Sequence, residues 1–250
     1  MNWKKKWYNI QVIDSNCELP VTSYGLRVAA LNSRFSLIYG LIFLCVFSIS
    51  CQKSTNKESR VAALPFYKEA TFTPYWLDDN NDSLVNFHQI TPFKLTNQNG
   101  RTITEKTFTN KIYIADFFFT ACPGICPKMT KNMGVIQDAF IEDADVLLLS
   151  HSVTPEFDSV SVLKNYATDK DVVDDKWHLV TGDRDHIYDL GRNAYFVEED
   201  LGLEKDPDDF LHTENFVLVD RNRHIRGIYN GLNKAAIRQL IADVKTLQQE

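Results

Sequence analysis

Residues 111–119 (KIYIADFFF) constrain the fold more than any other segment of this 250-residue chain. After its first residue the run is apolar on both faces except at Asp116, and most of its side chains are β-branched or aromatic. A strand of this kind is expected at the centre of a sheet that is covered on both sides. A Pro-Gly break follows, and apolar side chains then recur with helical spacing from residue 125 to residue 140. The segment therefore predicts a buried strand that turns directly into a helix.

Two cysteines, Cys122 and Cys126, lie at this junction of strand and helix. Unpaired backbone N–H groups and the positive end of the helix dipole stabilise thiolates at such a position. If the local backbone is helical, a spacing of four residues places both sulfurs on one face. The pair could be a structural disulfide, a redox pair or a metal site. A disulfide that closes so short a loop constrains the unfolded chain little, which disfavours the first of these.

The other segments alternate between strand and helix patterns, which predicts an α/β sandwich of the thioredoxin type. Further strands are predicted at residues 145–150, 177–181, 216–220 and 224–229, and helices at 155–167, 185–193 and 234–249. Ahead of the central strand, the Asn-Gln-Asn-Gly sequence at residues 97–100 separates two short strand patterns. It predicts an N-terminal β-hairpin extension.

The N-terminal region has the features of a membrane-targeting segment. Residues 35–50 are almost wholly apolar, follow Arg34 and end at Cys51. As a helix they would extend about 24 Å, less than the ~30 Å of a hydrocarbon core. We therefore expect a bacterial lipoprotein signal in which Cys51 is lipidated, with an uncleaved membrane anchor and a buried helix as the alternatives.

The predicted organisation has four parts. Residues 1–34 form a tail, either cytoplasmic or the product of a misassigned start; residues 35–51 form the signal or anchor, 52–60 a polar linker and 61–250 the folded domain. Because the positive charges precede the apolar run, a lipidated or anchored protein would hold this domain on the periplasmic side. The net charge of −6, with no basic stripe in the domain, argues against nucleic acid as a partner.

Four segments in order resemble the SCO/SenC family, thioredoxin-fold proteins that handle copper for the assembly of cytochrome c oxidase. They are DFFFTACPGICPKM, LLLSHSVTPEFDSVSVLKNYA, WHLVTGD and LHTENFVLVDRNRHIRG. The resemblance covers residues 61–250. Its most specific part is the CPxxCP core combined with a downstream His-Thr before a strand.

This resemblance implies a copper site formed by Cys122, Cys126 and His212. Soft thiolates select Cu(I), and an imidazole completes a site of low coordination number; Cu(II) is left open as a second state. The implied function is a copper metallochaperone that delivers copper to the apo form of a copper-bearing oxidase subunit. In this interpretation a thiol reductant keeps the cysteines able to bind the metal.

The alternative is a membrane-tethered thiol–disulfide oxidoreductase without a copper role. Cys122 would be the attacking thiolate and Cys126 the resolving thiol, and the subunit's cysteines would be the substrate. Tethered reductases of this fold usually have two residues between the cysteines and a proline before the strand at 216–220. Here three residues separate the cysteines and the segment is His-Thr-Glu-Asn. Both features favour copper, and the spacing does not suggest the third option, a peroxide-reducing enzyme.

Two further residues qualify the interpretation. Asp116 resembles a buried acid that moves protons for the redox cysteines of thioredoxins, and burial would raise its pKa toward that use. The alternative is that it lies at a strand end or pairs with a lysine. Thr154 stands where many family members have Asp, so any steadying of the loop by that acid is expected to be missing. The other histidines are expected to be surface or packing residues: His88, His151, His178, His186 and His224.

Overall fold

The computed structural model describes residues 58–78, 82–198 and 210–250. The predicted targeting segment and Cys51 lie outside these residues. Within the described part of the chain, no helix is long and apolar enough to cross a membrane.

One mixed sheet organises the described residues. Its strands are β1 (Lys94–Asn97), β2 (Thr102–Thr104), β3 (Ile112–Phe118), β4 (Val146–Ser152), β5 (Trp177–Thr181), β6 (Asn215–Val219) and β7 (Ile225–Asn230). They form a seven-stranded sheet in the order β2-β1-β5-β4-β3-β6-β7. Strands β3, β4 and β5 run parallel, whereas β6 is antiparallel to β3.

The central position predicted for the strand at residues 111–119, which is β3, is confirmed. All seven residues of β3 are buried, and the strand pairs with a neighbour on each side. Its two faces belong to two different apolar clusters, one containing Ile114 and the other containing Phe117. A strand covered in this way needs an apolar side chain on both faces, which explains the unbroken pattern of the sequence.

Helices cover both faces of the sheet. The helices are α1 (Cys126–Ala139), α2 (Val160–Asp169), α3 (Arg184–Asp189), which continues into a π-helix (Leu190–Ala194), and α4 (Lys234–Leu247). Apolar side chains of α1, α2 and α4 belong to one cluster, and those of α3 and the π-helix belong to the other. The predicted α/β sandwich is confirmed.

Helix α2 begins at Val160, five residues later than predicted. The carbonyl of Thr154 accepts the backbone N–H groups of Phe157 and Asp158, at 2.9 Å each, and this forms a turn before the helix. Ser159 then caps the helix by accepting the N–H of Val162. Proline 155 fits a turn as well as a helix start, so the apolar pattern alone placed the boundary too early.

The predicted N-terminal hairpin exists, but it belongs to the main sheet. Strand β1 pairs antiparallel with β5 through Thr96 opposite Thr181 and Asn97 opposite Val180. The hairpin is therefore an edge of the sheet and not an appended extension. Residues so far apart in sequence pair only in the folded chain, and the local turn signal carries no information about that pairing.

Candidate metal and redox site

The two cysteines lie between the end of β3 and the first turn of α1. Both are free thiols. The Cys126 side chain is buried, with 5% of it exposed, whereas Cys122 is partly exposed. The preceding residue, Ile125, is the N-cap and offers no side-chain hydrogen bond, and a proline occupies the first turn. The N-terminal N–H groups of α1 are therefore left for other acceptors.

These backbone groups act on Cys122. Burial opposes its ionisation, but a hydrogen bond from the Cys126 thiol and the N–H groups of Cys126, Gly124 and Ile125 outweigh burial and lower the pKa of Cys122. Burial and the hydrogen bond to Cys122 raise the pKa of Cys126. Of the two thiols, Cys122 is therefore the more readily ionised and Cys126 the less readily ionised.

The segment that carries His212 lies at the same end of the sheet as the cysteine loop. Because β6 runs antiparallel to β3, its first residue lies beside the last residues of β3, where the cysteine loop begins. The rings of Phe119 and Phe210 meet edge to face with centroids 5.4 Å apart. The His212 side chain is exposed, and its backbone N–H lies 3.4 Å from Oε1 of Glu198.

The structure brings together two of the three predicted ligands. Among the described residues, no group of three or more His, Cys, Asp and Glu side chains is arranged to hold a metal ion. Cys122 and Cys126 lie close enough for each thiol to shift the pKa of the other, whereas His212 belongs to the neighbouring segment without completing a three-ligand set.

Asp116 lies within β3, on the face of the sheet that α1 covers. It is 2% exposed, and its Oδ1 has no hydrogen-bond partner in the described part of the structure. Burial raises the pKa of Asp116 to about 7, against a weaker opposing hydrogen bond from Ser150. The ionised form of Asp116 would in turn raise the pKa of Cys126. The alternative of a strand end or a lysine pair is wrong, because Asp116 lies inside β3 and its Oδ1 contacts no lysine among the described residues.

The loop after β4 contains an acid that sequence reasoning missed. Asp158 is 1% exposed and accepts hydrogen bonds from Thr120, Ser152 and Thr154. Thr154, which replaces the family's usual acid, is therefore a donor to a second acid four residues later. The available signal was an acid directly before Ser159, the cap of α2, but only the fold shows that it faces the cysteine loop.

The remaining histidines are mainly packing residues, as predicted. Hydrogen bonds to main-chain or side-chain atoms involve His88, His178 and His224. His151 is fully buried, and its ring stacks on Phe117 with centroids 4.5 Å apart. Its Nε2 has no partner among the described residues, and burial lowers the pKa of His151 to about 4.

Most of the chain matches a known family. Residues 81–249 match the SCO1/SenC family model. The chain belongs to the SCO1/SenC family. Three solved structures show the fold of its relatives, and the match to this chain spans nearly the whole length of each of them.

A SCO1/SenC family lipoprotein from Bacillus anthracis is 29% identical, with a TM-score of 0.57 over 64% of this chain and 95% of that chain. BsSco, a member of the Sco family of cytochrome c oxidase assembly proteins with a disulfide switch, is 28% identical (TM-score 0.54, 64% and 93% covered). Bradyrhizobium japonicum ScoI with copper bound is 28% identical (TM-score 0.50, 63% and 98% covered). The thioredoxin-like α/β fold is thus shared with Sco proteins.

Proposed function

We propose that this SCO1/SenC protein is a copper metallochaperone that carries Cu(I) and delivers it to a copper-bearing subunit of cytochrome c oxidase. Its relatives include a Sco structure with copper bound and a Sco protein of the oxidase assembly group. The observation that carries the proposal is the pair of reduced thiols in contact at the end of β3, one buried and one partly exposed.

The donor set fits a soft cation. Two sulfurs in contact, one of them favoured as a thiolate, match Cu(I), and an imidazole is a common third ligand. His212 is the proposed third ligand. Its side chain is exposed and its segment packs beside the cysteine loop through Phe119 and Phe210, which supports this choice of ligand. Cu(II) is a second state that the same three residues could hold.

The same cysteines support a redox step. Loading of copper needs both thiols, so a thiol reductant is the proposed partner that returns the disulfide to this form. Asp116 is the proposed proton acceptor for Cys126, since it is a buried acid with a pKa raised to about 7 on the face covered by α1. This would make the more deeply buried thiol reactive near neutral pH.

We also propose that the protein is held at the periplasmic surface of a bacterial membrane through Cys51. The similarity to a SCO1/SenC lipoprotein supports this, together with the apolar run that ends at Cys51. Mass spectrometry of the mature protein should find a lipid on Cys51. An intact Met1 would refute lipidation and favour an uncleaved anchor.

Copper binding is tested by anaerobic Cu(I) titration of the reduced, full-length protein in detergent against a coloured Cu(I) chelator. The control is the double variant Cys122→Ser/Cys126→Ser, because it keeps any cysteine that lies outside the domain. Wild type should bind about one more tightly held Cu(I) per chain than the double variant. Equal binding would refute the proposal.

His212 is tested separately by the variant His212→Ala. We expect weaker Cu(I) binding with an unchanged melting temperature, because the side chain is exposed. Unchanged copper affinity would remove His212 from the site. If wild type binds no copper at the cysteines yet reduces protein disulfides rapidly, the thiol–disulfide oxidoreductase is the better function.

A further inference from the structure

A buried carboxylate joins the cysteine loop to the loop that follows β4. Asp158 accepts the backbone N–H of Thr120 at 3.2 Å and its hydroxyl at 2.5 Å. It also accepts the hydroxyls of Ser152 at 2.5 Å and Thr154 at 3.1 Å. Every one of these donors is neutral, and together they use both oxygens of the Asp158 side chain.

The cysteine loop has few other means of being held. Residues 120–125 are Thr-Ala-Cys-Pro-Gly-Ile, so Thr120 is the only residue besides Cys122 in this stretch whose side chain can hydrogen-bond. The backbone N–H of Cys122 reaches the carbonyl of Phe119 at 3.4 Å, a long contact. The contacts to Asp158 are therefore the main polar restraint on the start of the loop.

Asp158 is itself placed by secondary structure. It directly precedes Ser159, the N-cap of α2, and its own N–H is bonded to the carbonyl of Thr154. Its position thus follows from β4 on one side and α2 on the other, two elements of the rigid core. A restraint that starts from these elements ends two residues before Cys122.

We propose that Asp158 is the positioning residue of the cysteine site, and that its hydrogen bonds to Thr120 hold the loop in the form that keeps Cys122 and Cys126 in contact. For copper the inference rests on the proposed function, whereas for thiol–disulfide chemistry it needs only the two cysteines. Loosening the loop lowers the effective concentration of one thiol at the other. Both disulfide formation and binding of one metal ion by two sulfurs should then become less favourable.

The pattern of donors suggests two informative substitutions. Oδ2 accepts three of the four hydrogen bonds and Oδ1 accepts only the Thr120 hydroxyl. In Asp158→Asn an amide oxygen can replace Oδ2, and the amide N–H can donate to the Thr120 hydroxyl, which is able to accept. Asp158→Asn therefore keeps the connections, whereas Asp158→Ala removes them all.

The test is the equilibrium between the dithiol and the disulfide in glutathione buffers, without copper. Oxidised glutathione takes two electrons and two protons from Cys122 and Cys126, which form one S–S bond, and two molecules of reduced glutathione are released. Differential alkylation and mass spectrometry of the tryptic peptide 112–128 of the full-length protein report this pair alone. We expect the equilibrium constant to fall about tenfold in Asp158→Ala, about 30 mV in potential, and to stay within about threefold of wild type in Asp158→Asn.

Asp243→Ala is the matched control for general destabilisation. Asp243 is a buried carboxylate on α4 that accepts three side-chain hydrogen bonds, from Ser59, Tyr229 and Gln239. The Asp243→Ala variant should have a lower melting temperature and an unchanged dithiol–disulfide equilibrium. If Asp158→Ala does not fold, Thr120→Val removes a single hydroxyl donor and should lower the equilibrium constant a few-fold.

Three results would overturn the inference. The first is an equilibrium constant equal to that of wild type in folded Asp158→Ala or in Thr120→Val. The second is a fall of the equilibrium constant in Asp243→Ala as large as in Asp158→Ala. The third is a fall of the same size in Asp158→Asn. Copper binding by wild type decides the proposed function separately. A shift of the disulfide equilibrium in a protein that binds no copper would support the positioning role and refute the metallochaperone.

Discussion

Replacing Asp116 by asparagine should change the pH dependence of folding stability. The folded protein keeps a proton on Asp116 up to about pH 7, because burial raises its pKa from 3.8. The unfolded chain loses that proton near pH 3.8. The contribution of protonated Asp116 to the free energy of unfolding is therefore fully present below pH 3.8. It decreases as the pH rises toward 7, by about 1.4 kcal/mol for each pH unit.

Between pH 5 and pH 8, this loss amounts to about 3 kcal/mol. Asp116→Asn cannot ionise, so its free energy of unfolding relative to wild type should improve by about this amount between the two pH values. The comparison cancels the cost of burying an amide, which is the same at both. Urea unfolding of the reduced protein, followed by fluorescence of the buried Trp177, measures the difference.

A second variant and a control complete this experiment. Asp116→Leu should show the same relative gain, since it also lacks an ionisable group. Asp145→Asn should show none between pH 5 and pH 8. The hydrogen bond and charge of Lys111 lower the pKa of Asp145, so its contribution is lost only below pH 3.8. A relative gain below about 1 kcal/mol in Asp116→Asn would refute the raised pKa of Asp116 and its proposed part in proton transfer.

Three other substitutions test the burial of charged groups and the packing of the core. In wild type the lowered pKa of His151 makes the free energy of unfolding fall by about 3 kcal/mol as the pH drops from 6.5 to about 4. His151→Phe should remove this loss and lower the pH at which the protein unfolds in acid. An unchanged acid-unfolding midpoint would contradict this. Arg226→Met should cost about 3–5 kcal/mol in urea unfolding, since it leaves the buried acid Asp220 without its cation and also removes the ion pair with Glu250. A loss under 1 kcal/mol would contradict this. Gly191→Ala should cost about 1–3 kcal/mol and weaken Cu(I) binding, because its Cβ would lie 2.6 Å from Leu211, the residue before His212. Its control is Gly134→Ala in α1, where nothing lies within 4 Å of the added Cβ and a small gain in stability is expected.

The sequence alone determined what depends on local pattern. The buried strand at residues 111–119 and the helix after it follow from periodicity and turn chemistry over a few residues. The four-residue spacing of Cys122 and Cys126 is read directly from the sequence. These features placed the two cysteines correctly between the end of β3 and the first turn of α1. The resemblance to the SCO/SenC family rested on the same local motifs, and the family match over residues 81–249 confirms it.

The tertiary structure decided which distant segments meet. The pairing of β1 with β5, the approach of the His212 segment to the cysteine loop and the contact of Asp158 with Thr120 join residues 38 or more positions apart. It also decided protonation, because only burial shows that Asp116 holds its proton to about pH 7. Pairing across a sheet and desolvation depend on the packed chain, and a local pattern of residues does not contain either.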